Sequence, residues 1–230
     1  MTALLLLLSL VLPSQLSQPS PNVVLIISDD QAWTDYGFMG HPSIETPNLD
    51  KLAKQSVVFR RGYVPTPLFR PSLTTLATGL YAHQSLITGN DPANTKENQA
   101  YAARSGKDIR ELLISNVDRN LTLPRALARQ GYLTFQSGKW WEGSYQRGGF
   151  THGMTRGYPQ KGGRHGDDGL TIGRKGLNPI SEFMDLAIAS QKPFFLWYAP
   201  FLPHTPHNPP PRLLQKYQQD GRPKALASYY

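Results

Sequence analysis

A layered α/β fold, with a largely parallel sheet sandwiched by helices, is what this sequence predicts, and three observations predict it. The runs VVLIIS (residues 23–28) and PFFLWYA (193–199) are almost continuously apolar instead of alternating, the pattern of strands buried on both faces, and YLTFQ (132–136) reads as a third strand. Between them lie segments of helical spacing, opened by proline and closed by glycine. Strands that alternate with helices build parallel sheets through crossover connections.

Taken in order, the chain starts with an apolar run over residues 3–12, followed by a Ser/Gln/Pro linker. A run of about ten residues is too short to span a bilayer and fits the core of a signal peptide, although no Lys or Arg precedes it. Residues 1–20 are therefore expected to be a leader and linker of an exported protein, with no stable membrane span, and residues 21–230 one α/β domain. VVLIIS is the first strand. Thr46 and Pro47 cap a helix that carries Leu49, Leu52 and Ala53 at helical spacing, and VVF (57–59) is a second, short strand. A helix is expected over residues 71–78, closed by Gly79. Another opens at Pro124 and stops at Gly131. YLTFQ follows as a strand, then an amphipathic helix over 180–189 with Phe183, Leu186, Ala187 and Ile188, then the strand PFFLWYA. A further helix is expected to start near PKALASYY, where the chain stops with the sheet incomplete at its C-terminus. Residues 148–178 are Gly-rich and carry His152, His165, Asp167 and Asp168 among the basic residues Arg156, Lys161, Arg164, Arg174 and Lys175. So long a loop is either a mobile excursion or a rim that contacts an anionic ligand.

Composition bounds the function. A hydrophobic fraction of 39% in 230 residues supports a packed core. The absence of cysteine excludes disulfides, zinc–thiolate sites and a cysteine nucleophile. A formal charge of +8 favours anionic partners. The basic residues are scattered with no recognisable binding module, which argues against nucleic acid.

Ligands of open α/β sheets bind beyond the carboxyl ends of the strands. Four polar sets fall there: Asp29 and Asp30 after the first strand, Phe69 and Arg70 ahead of a helix, Gly138 and Lys139 after YLTFQ, and His204 and His207 after PFFLWYA. Paired carboxylates suit a hard divalent cation, a helix N-terminus and a lysine suit a tetrahedral oxyanion, and a histidine can protonate a leaving group. Together they describe metal-assisted transfer or hydrolysis of a sulfate or phosphate ester.

The segments PNVVLIISDDQ, TPNLDKLAKQSVVF, PTPLFRPSLTTLATGLYAHQ, SGKWWEG and FLPHTPH resemble, in order and spacing, the N-terminal part of the type I (arylsulfatase-like) sulfatases of the alkaline phosphatase superfamily. That resemblance implies an alkaline-phosphatase-like fold, with residues 21–230 a truncated N-terminal catalytic domain. It implies sulfuric ester hydrolysis with a divalent cation, calcium before magnesium, and a formylglycine nucleophile made from a Cys-x-Pro-x-Arg motif. It makes Asp29 and Asp30 metal ligands, and Lys139 and His204 catalytic residues at the sulfate. Partners would be sulfated small molecules or polysaccharides. Three positions depart from the pattern. Phe69 holds the nucleophile position, and a phenyl ring can neither be oxidised to an aldehyde nor attack. Leu73 replaces the motif arginine, for which the neighbouring Arg70 is a candidate substitute as a substrate-binding charge. Trp141 stands where many members have histidine; it can line the substrate pocket but cannot carry a proton. The remaining family ligands lie beyond Tyr230. As written, the chain reads as a sulfatase without its nucleophile. One alternative is a pseudoenzyme that binds anions or sulfated carbohydrate with Trp140 and Trp141 kept in the pocket. The other is a phosphoester hydrolase of the same superfamily, disfavoured because Ser72 lies three residues past the nucleophile position, about a helical turn away.

Overall fold

The computed structural model describes residues 20–219. Four parallel strands, β1 (Val23–Ile26), β2 (Leu133–Gly138), β3 (His152–Gly153) and β4 (Phe194–Ala199), form one sheet in the order β1-β4-β2-β3. β4 is central: Phe195 pairs with Val23 on one side and with Thr134 on the other. Its side chains alternate between two cores, as strand geometry requires. Phe195, Trp197 and Ala199 pack with Leu73, Ala77, Trp140 and Phe150, whereas Phe194 and Leu196 pack with Phe135, Ile180, Phe183 and Ala187. The sheet is thus covered by apolar layers on both faces, the expected sandwich.

The helices are α1 (Pro47–Ala53), α2 (Phe69–Thr78), α3 (Ala82–Ser85), α4 (Lys96–Ser105), α5 (Ile109–Asp118), α6 (Leu123–Arg129), α7 (Tyr145–Gly148), α8 (Asn178–Ala189) and α9 (Pro211–Gln219). α2 closes on Gly79, whose φ of 71° is the left-handed conformation that glycine adopts without strain. It starts two residues before the expected Pro71, so Phe69 itself is helical. α6 starts where the Thr122 hydroxyl accepts a hydrogen bond from the Arg125 amide, with Pro124 in its first turn. α8 buries Ile180, Phe183 and Ala187 against the second core.

Several expectations are corrected. β1 is not buried on both faces: Val23, Val24 and Ile26 are exposed, because among the described residues β1 pairs only with β4 and forms an edge. VVF forms no strand; Val57 and Phe59 are 80% and 83% exposed, with no neighbouring strand for them to pair with among the described residues. The Gly-rich stretch is not a structureless loop. It holds β3 and a 3-10 turn at Asp167–Thr171, and side chains pin it. The Thr155 hydroxyl donates to the Gly166 carbonyl (3.0 Å), and the Asp167 carboxylate accepts from the amides of Arg156 (3.1 Å) and Gly157 (2.8 Å). α4 and α5 were not expected. α4 buries no residue, so it carries no apolar stripe to read. The leader and the helix expected at PKALASYY lie outside the described residues, and no described helix is long and apolar enough to cross a membrane.

Candidate active site

Three loops meet at the carboxyl edge of the sheet, each for a local reason. Asp29 makes a parallel bridge with Pro203, which lays the segment after β1 beside the segment after β4. β2 ends at Gly138, whose φ is 80°; a Cβ there would lie 1.8 Å from the Ala199 carbonyl oxygen, so the close approach requires glycine. The next amide, Lys139 N–H, donates to that carbonyl at 2.8 Å and fixes the departing chain. The result is a cleft of about 380 Å³ that includes Asp29, Asp30, Phe69, Lys139, Trp141 and His204 in its lining, a volume in the range of small-molecule sites. Asp29, Asp30, Phe69, Lys139, Trp141 and His204, all singled out from sequence, therefore share one cavity, and Arg70 and His207 do not line it.

The Lys139 ammonium contacts the Asp29 carboxylate, both side chains being almost fully buried. Three rings surround the same ammonium: Phe69 and Phe201 with centroids at 4.6 Å, and Trp141 at 5.5 Å. Phe69 and Trp141 are themselves 5.7 Å apart. Burial pushes the Asp29 carboxyl up and the Lys139 ammonium down from their ordinary values, in each case outweighing the partner's opposite pull. Asp30 differs from its neighbour. Its φ of 59° is left-handed, its side chain is 69% exposed, and its Oδ2 lies 3.7 Å from His204 Nε2. Phe201 was not singled out from sequence, although its place two residues after β4 is where site residues gather.

Arg70 is the exception among the expected residues. Its guanidinium is turned into the protein, with Nε and Nη2 donating to the Glu142 carboxylate at 2.7 and 2.8 Å, and the side chain is fully buried. It is not a substrate-binding charge in this cleft. Its amide is spent as well, on Asn90 Oδ1 at 2.9 Å, so one of the free amides expected at the head of α2 is already bonded. Leu73 packs in the first core and Ser72 does not line the cleft. Trp140 is also a core residue, edge-on to Phe150 and Trp197, which leaves Trp141 alone as the tryptophan of the pocket.

The Gly-rich segment contributes the rim through Arg164 and His165. The His165 carbonyl accepts from the Trp140 amide at 3.1 Å, and its ring lies 5.4 Å from that of Trp141. Burial first, then the Arg164 and Lys139 charges, lower its pKa to about 4. The sign follows directly. The unfolded chain protonates His165 near 6.5 while the folded chain resists until about 4, so acidification through that window favours unfolding. His165→Gln should therefore lose less thermal stability than the wild type between those two values. Parallel melting-temperature curves for the two proteins would contradict this.

The resemblance implies a divalent cation on Asp29 and Asp30, and the donors can be tested for it. Asp29 Oδ1 is buried without a hydrogen-bond partner among the described residues, which is what a cation would remedy. Against this, Lys139 already neutralises Asp29, Asp30 faces outward, and no group of three or more metal-ligating side chains exists among the described residues. Calcium takes six to eight oxygens. The described donors do not fit a complete cation site.

Comparison with known proteins bears on the whole arrangement. The family model described as Sulfatase matches residues 21–230. Arylsulfatase A of Bos taurus is 35% identical over a match covering 81% of this chain and 37% of that protein. The crystal structure of Ps i-CgsB in complex with k-i-k-neocarrahexaose superposes with a TM-score of 0.66 at 24% identity, over 91% of this chain and 51% of that one. BT4656 in complex with its substrate D-glucosamine-2-N,6-O-disulfate gives 0.61 at 23%, over 88% and 38%. The chain thus spans about half the length, or less, of these relatives. A parallel sheet in the shared fold, the ordered motifs at its carboxyl edge and a family match over nearly the entire chain lead to one conclusion: this chain belongs to the sulfatase family.

Proposed function

We propose that this chain is an exported sulfatase-family protein that holds sulfate esters without cleaving them. One observation carries the reading: the position that heads α2 presents the Phe69 ring to the cleft, and among the described residues no serine, threonine or tyrosine lines it. The hydrolysis that the resemblance implies needs a nucleophilic oxygen at the head of α2; a phenyl ring supplies none, and Ser72 does not line the cavity. What the cleft retains is recognition. Lys139 supplies a buried positive charge, His204 a ring nitrogen beside Asp30, and Trp141, Phe69 and Phe201 supply apolar walls. A sulfated sugar offers both an anion and apolar faces, and one relative is described with a disulfated glucosamine as its substrate. Asp29 and Asp30 would supply two carboxylates to a divalent-cation shell, calcium before magnesium, that only further donors could complete.

The expected result is calorimetric binding of D-glucosamine 6-O-sulfate by the full chain with no hydrolysis of 4-nitrophenyl sulfate above the uncatalysed rate. Hydrolysis by the purified wild-type chain would sink the proposal.

A further inference from the structure

The charges of the cleft are unequal between floor and mouth. On the floor, Lys139 is matched by Asp29 within a buried pair, and the exposed Asp30 carboxylate faces His204 at 3.7 Å. At the mouth, two arginines share one carboxylate. Arg164 Nε donates to Asp91 Oδ1 at 2.9 Å while its Nη2 pairs with Oδ2, and Arg110 Nη2 meets Oδ1 at 2.5 Å. Arg110 is largely buried and lies 5.8 Å from the Tyr158 ring centroid, so it is fixed behind Asp91. Arg164 is held at its guanidinium by Asp91, and its segment is tied down by the hydrogen bond from Trp140 to the next residue, His165. Its side chain is nevertheless 49% exposed, and it lines the cleft that Lys139 also lines.

We infer that Arg164 is a specificity-determining residue that reads a second anionic group on the ligand, so that the preferred class is a saccharide carrying two acidic substituents. The inference rests on the binding function proposed above. A ligand whose sulfate reaches the floor at Lys139 must leave through the mouth, where the excess positive charge stands on a planar fork suited to a sulfate or carboxylate. Asp91 is a positioning residue: it orients the fork, and Arg110 keeps the trio net positive. A monosulfated sugar satisfies the floor alone.

The test is calorimetric titration of the full chain with D-glucosamine 6-O-sulfate and with D-glucosamine-2-N,6-O-disulfate. The wild type should bind the disulfate about tenfold more tightly, the size of one charge-assisted contact, with a preference that shrinks as salt rises. Arg164→Met keeps the stem at a half-exposed position, where folding is not at stake; it should bind both sugars alike, the disulfate losing about tenfold more than the monosulfate. Arg164→Lys, which keeps the charge and loses the fork, should retain part of the preference. A wild type that binds both sugars equally overturns this inference and leaves the binding function standing. So does an Arg164→Met variant that keeps the preference or weakens both sugars together. A wild type that binds neither sugar overturns both.

Discussion

Glu142→Gln is expected to destabilise the folded chain by about 3–5 kcal/mol, the cost of stripping one partner from a buried ion pair. Arg70 is 0% exposed and Glu142 3%, and two hydrogen bonds of 2.7 and 2.8 Å join them. The variant leaves a guanidinium with no counter-charge where water cannot reach it. Thr74, whose hydroxyl lies 3.4 Å from Glu142 Oε1, offers no charge in exchange. For a domain whose total stability is about 5–15 kcal/mol, this is a fall in melting temperature of about 10 °C, measurable by urea or thermal unfolding. The double variant Arg70→Met/Glu142→Leu should recover most of the loss, because an apolar pair of similar volume has no charge to desolvate. Asp168→Asn is the control: its pair with Arg156, at 3.2 Å, is largely exposed, and such pairs contribute about 0–1 kcal/mol. A Glu142→Gln loss no larger than that of the control would refute the argument.

This pair also shows where sequence reading stops. β1 and β4 were legible because they are nearly continuous apolar runs, and the central β4 matches PFFLWYA almost residue for residue, whereas β3, His152–Gly153, carries no apolar run to read. The residues of the cleft could be grouped because Asp29, Lys139 and His204 lie in the segments that follow β1, β2 and β4, so topology brings them to one edge. The direction of Arg70 is not legible because it depends on Glu142, a residue 72 positions away that no local pattern connects to it. The same limit applies to VVF and to the outer face of β1. Periodicity shows that a segment is apolar enough to be covered, and only tertiary structure shows whether anything covers it. Composition left residues 148–178 open between a mobile excursion and a rim, because the hydrogen bonds that hold the segment come from Thr155 and Asp167, whose partners are up to 11 residues away. α4 could have been found from its cap: the Thr95 hydroxyl accepts from the Asn98 amide, a signal present in the sequence although no apolar stripe accompanies it.

Lys139→Met carries the second large expected effect, and it separates the two roles of that ammonium. As Asp29's partner, Lys139 keeps a fully buried carboxylate from standing alone, so the variant should lose about 3–5 kcal/mol at neutral pH. The pH dependence then has a definite sign. Burial already raises the Asp29 carboxyl above its ordinary value, and removing Lys139 raises it further. A carboxyl whose folded pKa is raised favours the fold below its unfolded pKa and loses that contribution as pH rises through the folded pKa. Lys139→Met should therefore regain stability relative to the wild type on acidification, and the double variant Asp29→Asn/Lys139→Met should be restored at neutral pH with that dependence gone. As the anion's partner, Lys139 cannot be replaced in this way. Both variants should lose binding of D-glucosamine 6-O-sulfate by tenfold or more, about one charge-assisted contact, even where the fold is fully recovered. Asp29→Asn alone removes the carboxylate that competes for the ammonium, and it should bind the sugar more tightly than the wild type. If the restored double variant still binds, the anchor is not Lys139, and the floor of the cleft serves the fold alone. If it folds and does not bind, a single ammonium beneath the ring of Phe69 both neutralises the core and recognises the ligand.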